Sequence, residues 1–276
     1  YDSSPLSLAF NAFVKFFNTN VGWAIALLAL SALSFIWQLF SNLIQLAVPT
    51  DSSTSTGSSS ADMLSSSGSA SDVNVAAILM IVFGVIIIAL FVIAIASAIS
   101  TYISGMLSYV ALQSEEGKSI SFSEAWEATS KRFWRLYLAS LLAGLKIFGW
   151  TLLFIIPGII ASLRYKLLPY VIMADSETSG VGSSHESTKQ LVKGRLMEVF
   201  GIATVASIVP FVGSLVGLTG NAALFSQLKT YNDAKLEKPK VHWLNYLGLI
   251  LIGVLVLFLM MIGLIILLLL LPATLK

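Results

Sequence analysis

An all-α, polytopic membrane fold is predicted for this chain by three observations. Of its 276 residues, 57% are hydrophobic and only 11% are charged, whereas a water-soluble domain carries roughly 25% charged residues. Apolar runs recur along the chain, and about 20 such residues suffice to cross a hydrocarbon core of ~30 Å. Basic residues gather at some of the junctions between these runs and leave the others bare, as the positive-inside rule requires of cytoplasmic and external loops. The apolar surface is therefore covered by lipid, and a soluble enzyme is excluded. The lack of cysteine also excludes disulfides, thiolate catalysis and thiolate metal sites.

Ser4-Pro5 opens the first helix, because Ser is a favoured N-cap and Pro is favoured at the first helical position. Leu6, Phe10, Phe13 and Phe17 follow at helical spacing, with Asn11, Lys15 and Asn18 elsewhere on the wheel. This predicts a short amphipathic helix in the headgroup region. A first span covers 21–49. Residues 50–73 are serine-rich, with three aspartates and no Lys or Arg. They hold too little apolar surface to offset their ordering entropy, so a flexible extracytoplasmic loop is expected. The next apolar segment, 75–112, is close to twice the length a bilayer needs. Its second half carries Ser97, Ser100, Thr101, Ser104, Gly105 and Ser108, a small-residue stripe suited to close helix packing.

Ser121 and Glu124 have capping-box spacing and open a helix that carries Trp126, Lys131, Arg132, Phe133 and Arg135 into a span. That span, 134–156, is predicted to turn at Pro157-Gly158 and return over 158–174. Ser183 and Glu186 repeat the capping box, and Lys189, Lys193 and Arg195 decorate a helix running into the apolar segment at Val199. A third pair, 196–209 and 211–230, is predicted to turn near Pro210, and a last aliphatic run, 243–271, forms a single span. The expectation is about seven spans: three interfacial-helix-plus-hairpin units in a helical membrane domain, 1–242, then a C-terminal span within 243–276. The segments assigned to the cytoplasm hold 12 of the 16 Lys and Arg, which places the N-terminus in the cytoplasm. The middle and third pairs have short legs, so hairpins that do not fully cross stay open as an alternative.

The segments GMLSYVAL from Gly105, ISFSEA from Ile120, RFWRL from Arg132, IIPGII from Ile155, RYKLLPYVI from Arg164 and LVKG from Leu191 occur in this order. Together, over roughly 100–232, they resemble the membrane domain that accompanies some bacterial glycerophosphodiester phosphodiesterases, and related stand-alone membrane proteins of unknown function. The resemblance implies a multi-span helical domain in a bacterial cytoplasmic membrane and supplies no activity. The phosphodiesterase reaction belongs to a separate soluble barrel with His and carboxylates at a metal. This chain has only His185 and His242 and no dense carboxylate cluster.

Lys146, Arg164 and Lys166 lie inside apolar runs. With a turn at Pro157-Gly158 they fall at similar depth, about 10–15 Å below it at ~1.5 Å per residue. A cation there costs at least ~2.5–3.5 kcal/mol on insertion scales, and no Asp or Glu in that pair matches it. They are candidates for an anionic lipid headgroup or other anionic ligand; snorkelling of long side chains is the alternative. Lys131, Arg132, Arg135, Lys193 and Arg195 are expected to contact anionic lipid at the inner leaflet. Gly213, Gly217 and Gly220, followed by Asn221 and Gln227, form a small-residue face for helix packing or self-association. Tyr165, Tyr170, Trp150, Trp134 and Trp243 are expected as interface anchors, and His185 as an exposed loop residue.

No catalytic or metal-ligating motif stands out, no cofactor is implied, and dispersed basic residues argue against nucleic acid. The expected function is that of a non-enzymatic bacterial membrane protein, a lipid-interacting scaffold or the membrane subunit of a larger assembly. Its partners would be membrane lipids, preferentially anionic, with a homo-oligomer or a partner protein as further candidates. The alternative is a transporter or channel for a small anionic solute.

Overall fold

The computed structural model describes residues 2–47, 75–175, 180–209, 212–237 and 240–274, and every regular element among them is helical. These are α1 (Pro5–Thr19), α2 (Val21–Ala47), α3 (Val75–Glu115), α4 (Phe122–Leu153), α5 (Ile155–Tyr165) and α6 (Leu168–Ala174). There follow α7 (Val181–Val192), α8 (Leu196–Ile208), α9 (Gly213–Asp233), a 3-10 turn (Trp243–Tyr246) and α10 (Leu247–Thr274). The fold is all-α and of membrane type. The serine-rich loop at 50–73 and the turn at Pro210 lie outside the described residues.

Five helical stretches among the described residues are long and apolar enough to cross a bilayer: Val21–Asn42, Leu79–Glu115, Phe122–Leu153, Ile155–Ala174 and Trp243–Ile266. The expected count of seven does not follow from them. The 13 residues of α8 reach only ~20 Å. The 21 residues of α9 are interrupted by Ser214, Thr219, Asn221, Ser226, Gln227 and Lys229.

The chain divides into two compact units, Leu30–Ser100 and the remainder, Tyr1–Ala29 with Thr101–Lys276. In the first, the helical stretches from α2 and α3 expose Leu33, Trp37, Met80, Phe83 and Ile88. Such faces are stable only against lipid or another apolar surface.

The second unit has a packed core in which Phe16, Val110, Leu136, Leu168, Ile172, Ile202, Leu224 and Leu228 are fully buried. Small residues let its helices approach. A Cβ on Gly105 of α3 would strike Leu136 and Met173, and one on Gly220 of α9 would lie 2.9 Å from Ile202 and 3.2 Å from Ala9. The α3 stripe is thus buried from Gly105 through Ser108, while Ser100 and Ser104 remain exposed.

Several local expectations are corrected. The α4–α5 turn falls at Phe154, whose backbone is extended (φ −154°, ψ 136°), and Pro157 sits inside the first turn of α5. The first N–H groups of a helix have no intrahelical partner, so proline is tolerated there. Gly158 lets α5 close against α4, since a Cβ would lie 2.8 Å from Thr151 Cα.

The Ser121 capping box forms as expected, with Glu124 N to Ser121 Oγ at 3.3 Å and Ser121 N to Glu124 Oε2 at 2.8 Å. The one expected at Ser183 does not. There α7 starts earlier, with Gly180 as N-cap, and Ser183 Oγ donates to Gly180 O at 2.7 Å. Nor does α7 run into α8: Gly194, at φ +75°, turns the chain between them in the left-handed region that glycine adopts without penalty.

The first helix packs along one face against the rest of the unit. Leu8, Ala9, Ala12 and Phe16 of α1 are buried, and its outward face still carries Leu6, Phe10 and Val14.

Candidate functional site

Among α3, α4, α5, α6, α8 and α9 lies a cavity of about 680 Å³. Ser104 and Ser108 come from α3, Ser140 and Ala143 from α4, and Ser162 and Tyr165 from α5. Lys166 stands in the break between α5 and α6; Tyr170 comes from α6, and Ser214, Gly217 and Asn221 from α9. The helices can surround such a space because their facing positions are Ser, Ala and Gly, which fill little volume.

The lining is mainly apolar but carries several hydroxyl groups, and no carboxylate contributes to it among the described residues. Some polar groups are already committed: Ser162 Oγ donates to Ile159 O at 2.8 Å, and Tyr170 Oη to Leu218 O at 2.9 Å. Asn221 Nδ2 donates to Gly217 O at 2.6 Å. That carbonyl can only accept, so the amide is oriented and its Oδ1 faces away, buried and without a hydrogen-bond partner among the described residues. Lys166 has no ion pair or hydrogen bond among the described residues. Among the described residues it is the one cation lining this space, and it is itself exposed.

The three cations within the apolar helical stretches do not converge. Lys146 places Nζ 5.7 Å from the centroid of the Tyr165 ring, within cation–π range, so an aromatic face already offsets part of its charge. Arg164 is exposed and contributes nothing to the cavity. Lys166 alone of the three lines it.

Tyr165 also meets His185 edge-on, with ring centroids 5.0 Å apart. His185 is not the exposed loop residue the glycine- and serine-rich context suggested: it is 3% exposed, and Nε2 lies 3.0 Å from Ala139 O. Burial pushes the imidazole pKa below its ordinary 6.5; the Lys146 charge, and to a lesser extent Lys189, add to this, against the Ala139 hydrogen bond. The ring is accordingly neutral at pH 7.

The residues assigned to the inner leaflet separate in the same way. Lys131 and Lys193 are exposed, with Lys131 paired to Glu127 at 2.9 Å. Arg132 is half-buried and donates to Asp175 O at 3.4 Å and Ala128 O at 3.3 Å. Arg135 reaches Ile172 O at 3.1 Å and Asp175 Oδ2 at 3.5 Å. Arg195 is buried and bonded to the equally buried Glu198 at 2.7 Å, so its charge faces the protein interior.

The glycine face of α9 packs on neighbours. A Cβ on Gly213 would meet the Ala206 carbonyl of α8, one on Gly217 would lie 3.1 Å from Ala206 Cβ, and Gly220 faces α8 and α1. Tyr170 is buried in the core and is not an interface anchor.

Residue chemistry placed Asn221 on the glycine face of α9 but did not single out Asn20 as a structural polar residue. For Asn221 a signal was present: Gly217 lies four residues earlier, which puts the amide on the glycine face of the helix. For Asn20 the partners are some 94–100 residues away, and no local pattern points to them.

No family model matches this chain, and neither a curated protein nor a solved structure matches it. Among the described residues no group of three His, Asp or Glu side chains is placed to hold a metal ion. What the site can do follows from its own chemistry: one ammonium group, hydroxyls that can turn to donate, and no competing carboxylate.

Proposed function

We propose that this chain is a non-enzymatic membrane protein that holds an anionic lipid headgroup in the serine-lined cavity, within a scaffold or a larger membrane assembly. The single observation that carries the reading is Lys166, an exposed cation within an apolar helical stretch that has no carboxylate partner among the described residues and lines a hydroxyl-bearing cavity of about 680 Å³. An unpaired charge in such surroundings is stabilised by an anion or by water, and the serine hydroxyls supply neutral hydrogen bonds to the same ligand. The bacterial cytoplasmic membrane, with the N-terminus on its inner side, is part of this proposal; it rests on the basic junctions and on the resemblance carried by 100–232.

Native mass spectrometry of gently extracted protein tests it. Phosphatidylglycerol is expected to co-purify with the wild type and with Arg164→Leu, whose side chain lies outside the cavity, and to be lost from Lys166→Leu. Equal lipid retention in all three would sink the proposal.

A second reading, passage of a small anionic solute, is favoured by one feature: the cavity is lined at the break between α5 and α6. Helices interrupted beside a polar space recur at transporter binding sites. Anion flux from reconstituted liposomes that disappears in Lys166→Leu would favour passage over headgroup retention.

A further inference from the structure

A second polar cavity, of about 500 Å³, lies further along the same helices. Its charged lining residues are Glu115, Glu116, Arg132 and Lys229. The two carboxylates already have cations of their own: Glu115 pairs with Lys15 at 3.4 Å and Glu116 with Lys118 at 2.6 Å. Asp175, whose backbone carbonyl accepts from Arg132, pairs with Arg135 at 3.5 Å. Arg132 itself meets only backbone oxygens, through Nε and Nη1 at 3.4 and 3.3 Å. These lie beyond the usual N–H···O range of about 2.7–3.2 Å. Its Nη2 and the Lys229 ammonium have no partner among the described residues. Arg132 and the exposed Lys229 therefore share one cavity without an ion pair among the described residues, and Lys229 also borders Asp175 and Asp233 in a neighbouring cavity.

The rest of the lining suits an anion. Tyr109, Gln113 and Ser226 offer neutral donors, while Leu112, Met173 and Phe225 supply apolar surface that strengthens a charge interaction by excluding water. A guanidinium presents a planar fork to phosphate oxygens and an ammonium adds a point charge. The buried rings of Tyr170 and Phe225, stacked with centroids 6.4 Å apart, stand between this cavity and the serine-lined one. The two spaces are separate sites on one set of helices.

We propose that the cavity between α3, α4, α6 and α9 binds a phosphate-bearing anion, with Arg132 and Lys229 as its charge partners. Neither the composition of the serine-lined cavity nor Lys166 enters this site. The phosphate could be carried by a membrane lipid or by a soluble metabolite, and the same cations would recognise both.

Protein purified in a neutral detergent is titrated calorimetrically with inorganic phosphate, glycerol 3-phosphate and dihexanoyl phosphatidylglycerol. At least one is expected to bind saturably. Losing a charge-assisted hydrogen bond costs about tenfold or more in affinity, so Arg132→Gln and Lys229→Gln should each weaken binding by about that factor. Arg132→Lys, which keeps the charge and loses the fork, is expected to weaken it less and guards against a folding defect in the glutamine variants. Lys240→Gln and Lys166→Leu should leave the affinity unchanged; the latter keeps this site distinguishable from the headgroup cavity. Binding of the short-chain lipid alone assigns the phosphate to the membrane, and comparable binding of glycerol 3-phosphate assigns it to a soluble source. Absence of saturable binding by all three probes, or wild-type affinity in a folded Arg132→Gln/Lys229→Gln double variant, overturns the proposal.

Discussion

Asn20 illustrates how one polar side chain organises a junction in an otherwise apolar chain. It is buried between α1 and α2, donates to Ser114 Oγ at 2.6 Å and Lys118 O at 3.2 Å, and accepts from Ile120 N at 2.8 Å. Trp23 Nε1 adds a bond to Ile120 O at 2.8 Å, so the α3–α4 loop is held by side chains from the N-terminal segment. His185 is a residue whose surroundings predict a pH dependence of stability. Its folded-state pKa is depressed below 6.5, so the unfolded chain takes up the proton first as pH falls. The stability contributed by the neutral ring is fully present above about pH 6.5. It is lost progressively as pH drops from there to the folded pKa, and the loss then levels off. Thermal melts of wild type between pH 7 and about pH 5 are expected to show this decline, and His185→Gln should flatten it. A slope unchanged in the variant would mean that other groups carry the pH dependence.

Helix packing in this protein depends on where side chains are absent. Gly220 brings α9 against both Ile202 of α8 and Ala9 of α1, with a built Cβ only 2.9–3.4 Å from their atoms. Because a packed interface admits extra volume only by shifting its neighbours, Gly220→Leu is expected to cost about 1–3 kcal/mol, read as a lowered unfolding temperature in detergent. Gly253→Leu is the matching control in α10, where nothing lies within 4 Å of the added Cβ, and it should leave the melt essentially unchanged. A loss of equal size at both positions would show that the close approach at Gly220 does not set the effect, since helix propensity favours Leu over Gly at both. Helix starts teach a related lesson. The Ser121 capping box was legible because its two members are three residues apart in an otherwise unambiguous context. The same spacing at Ser183 was superseded, since Gly180 could begin the helix sooner and Ser183 then bonded its carbonyl. The Pro157-Gly158 pair marked the α4–α5 corner but displaced it from Phe154, because proline also fits the first turn of a helix.

At the scale of the whole molecule, several basic junctions are tied together within the larger unit. Lys15 meets Glu115, and Lys118 is tied to Asn20 through its carbonyl. Arg132 and Lys229 share a cavity, and Lys229 with Gln190 of α7 lines another. The positive-inside rule then predicts one membrane face for them all. With no native cysteine, single reporters test this cleanly: Lys118→Cys and Lys193→Cys should react with an impermeant thiol reagent only in inverted vesicles, and Ser60→Cys only in intact cells. Labelling of Ser60→Cys and Lys118→Cys from the same side would refute the topology. The sequence by itself determined the helical membrane class, because long apolar runs with few charges are stable only as lipid-covered helices. It also identified the glycine face of α9 and the cations that had to be accounted for. Only the tertiary structure decided that α8 ends after 13 residues, that Lys146 goes to an aromatic ring and Lys166 to a cavity, and that His185 and Arg195 are buried. Those outcomes depend on which side chains meet across distant helices, and periodicity along one helix carries no record of its partner.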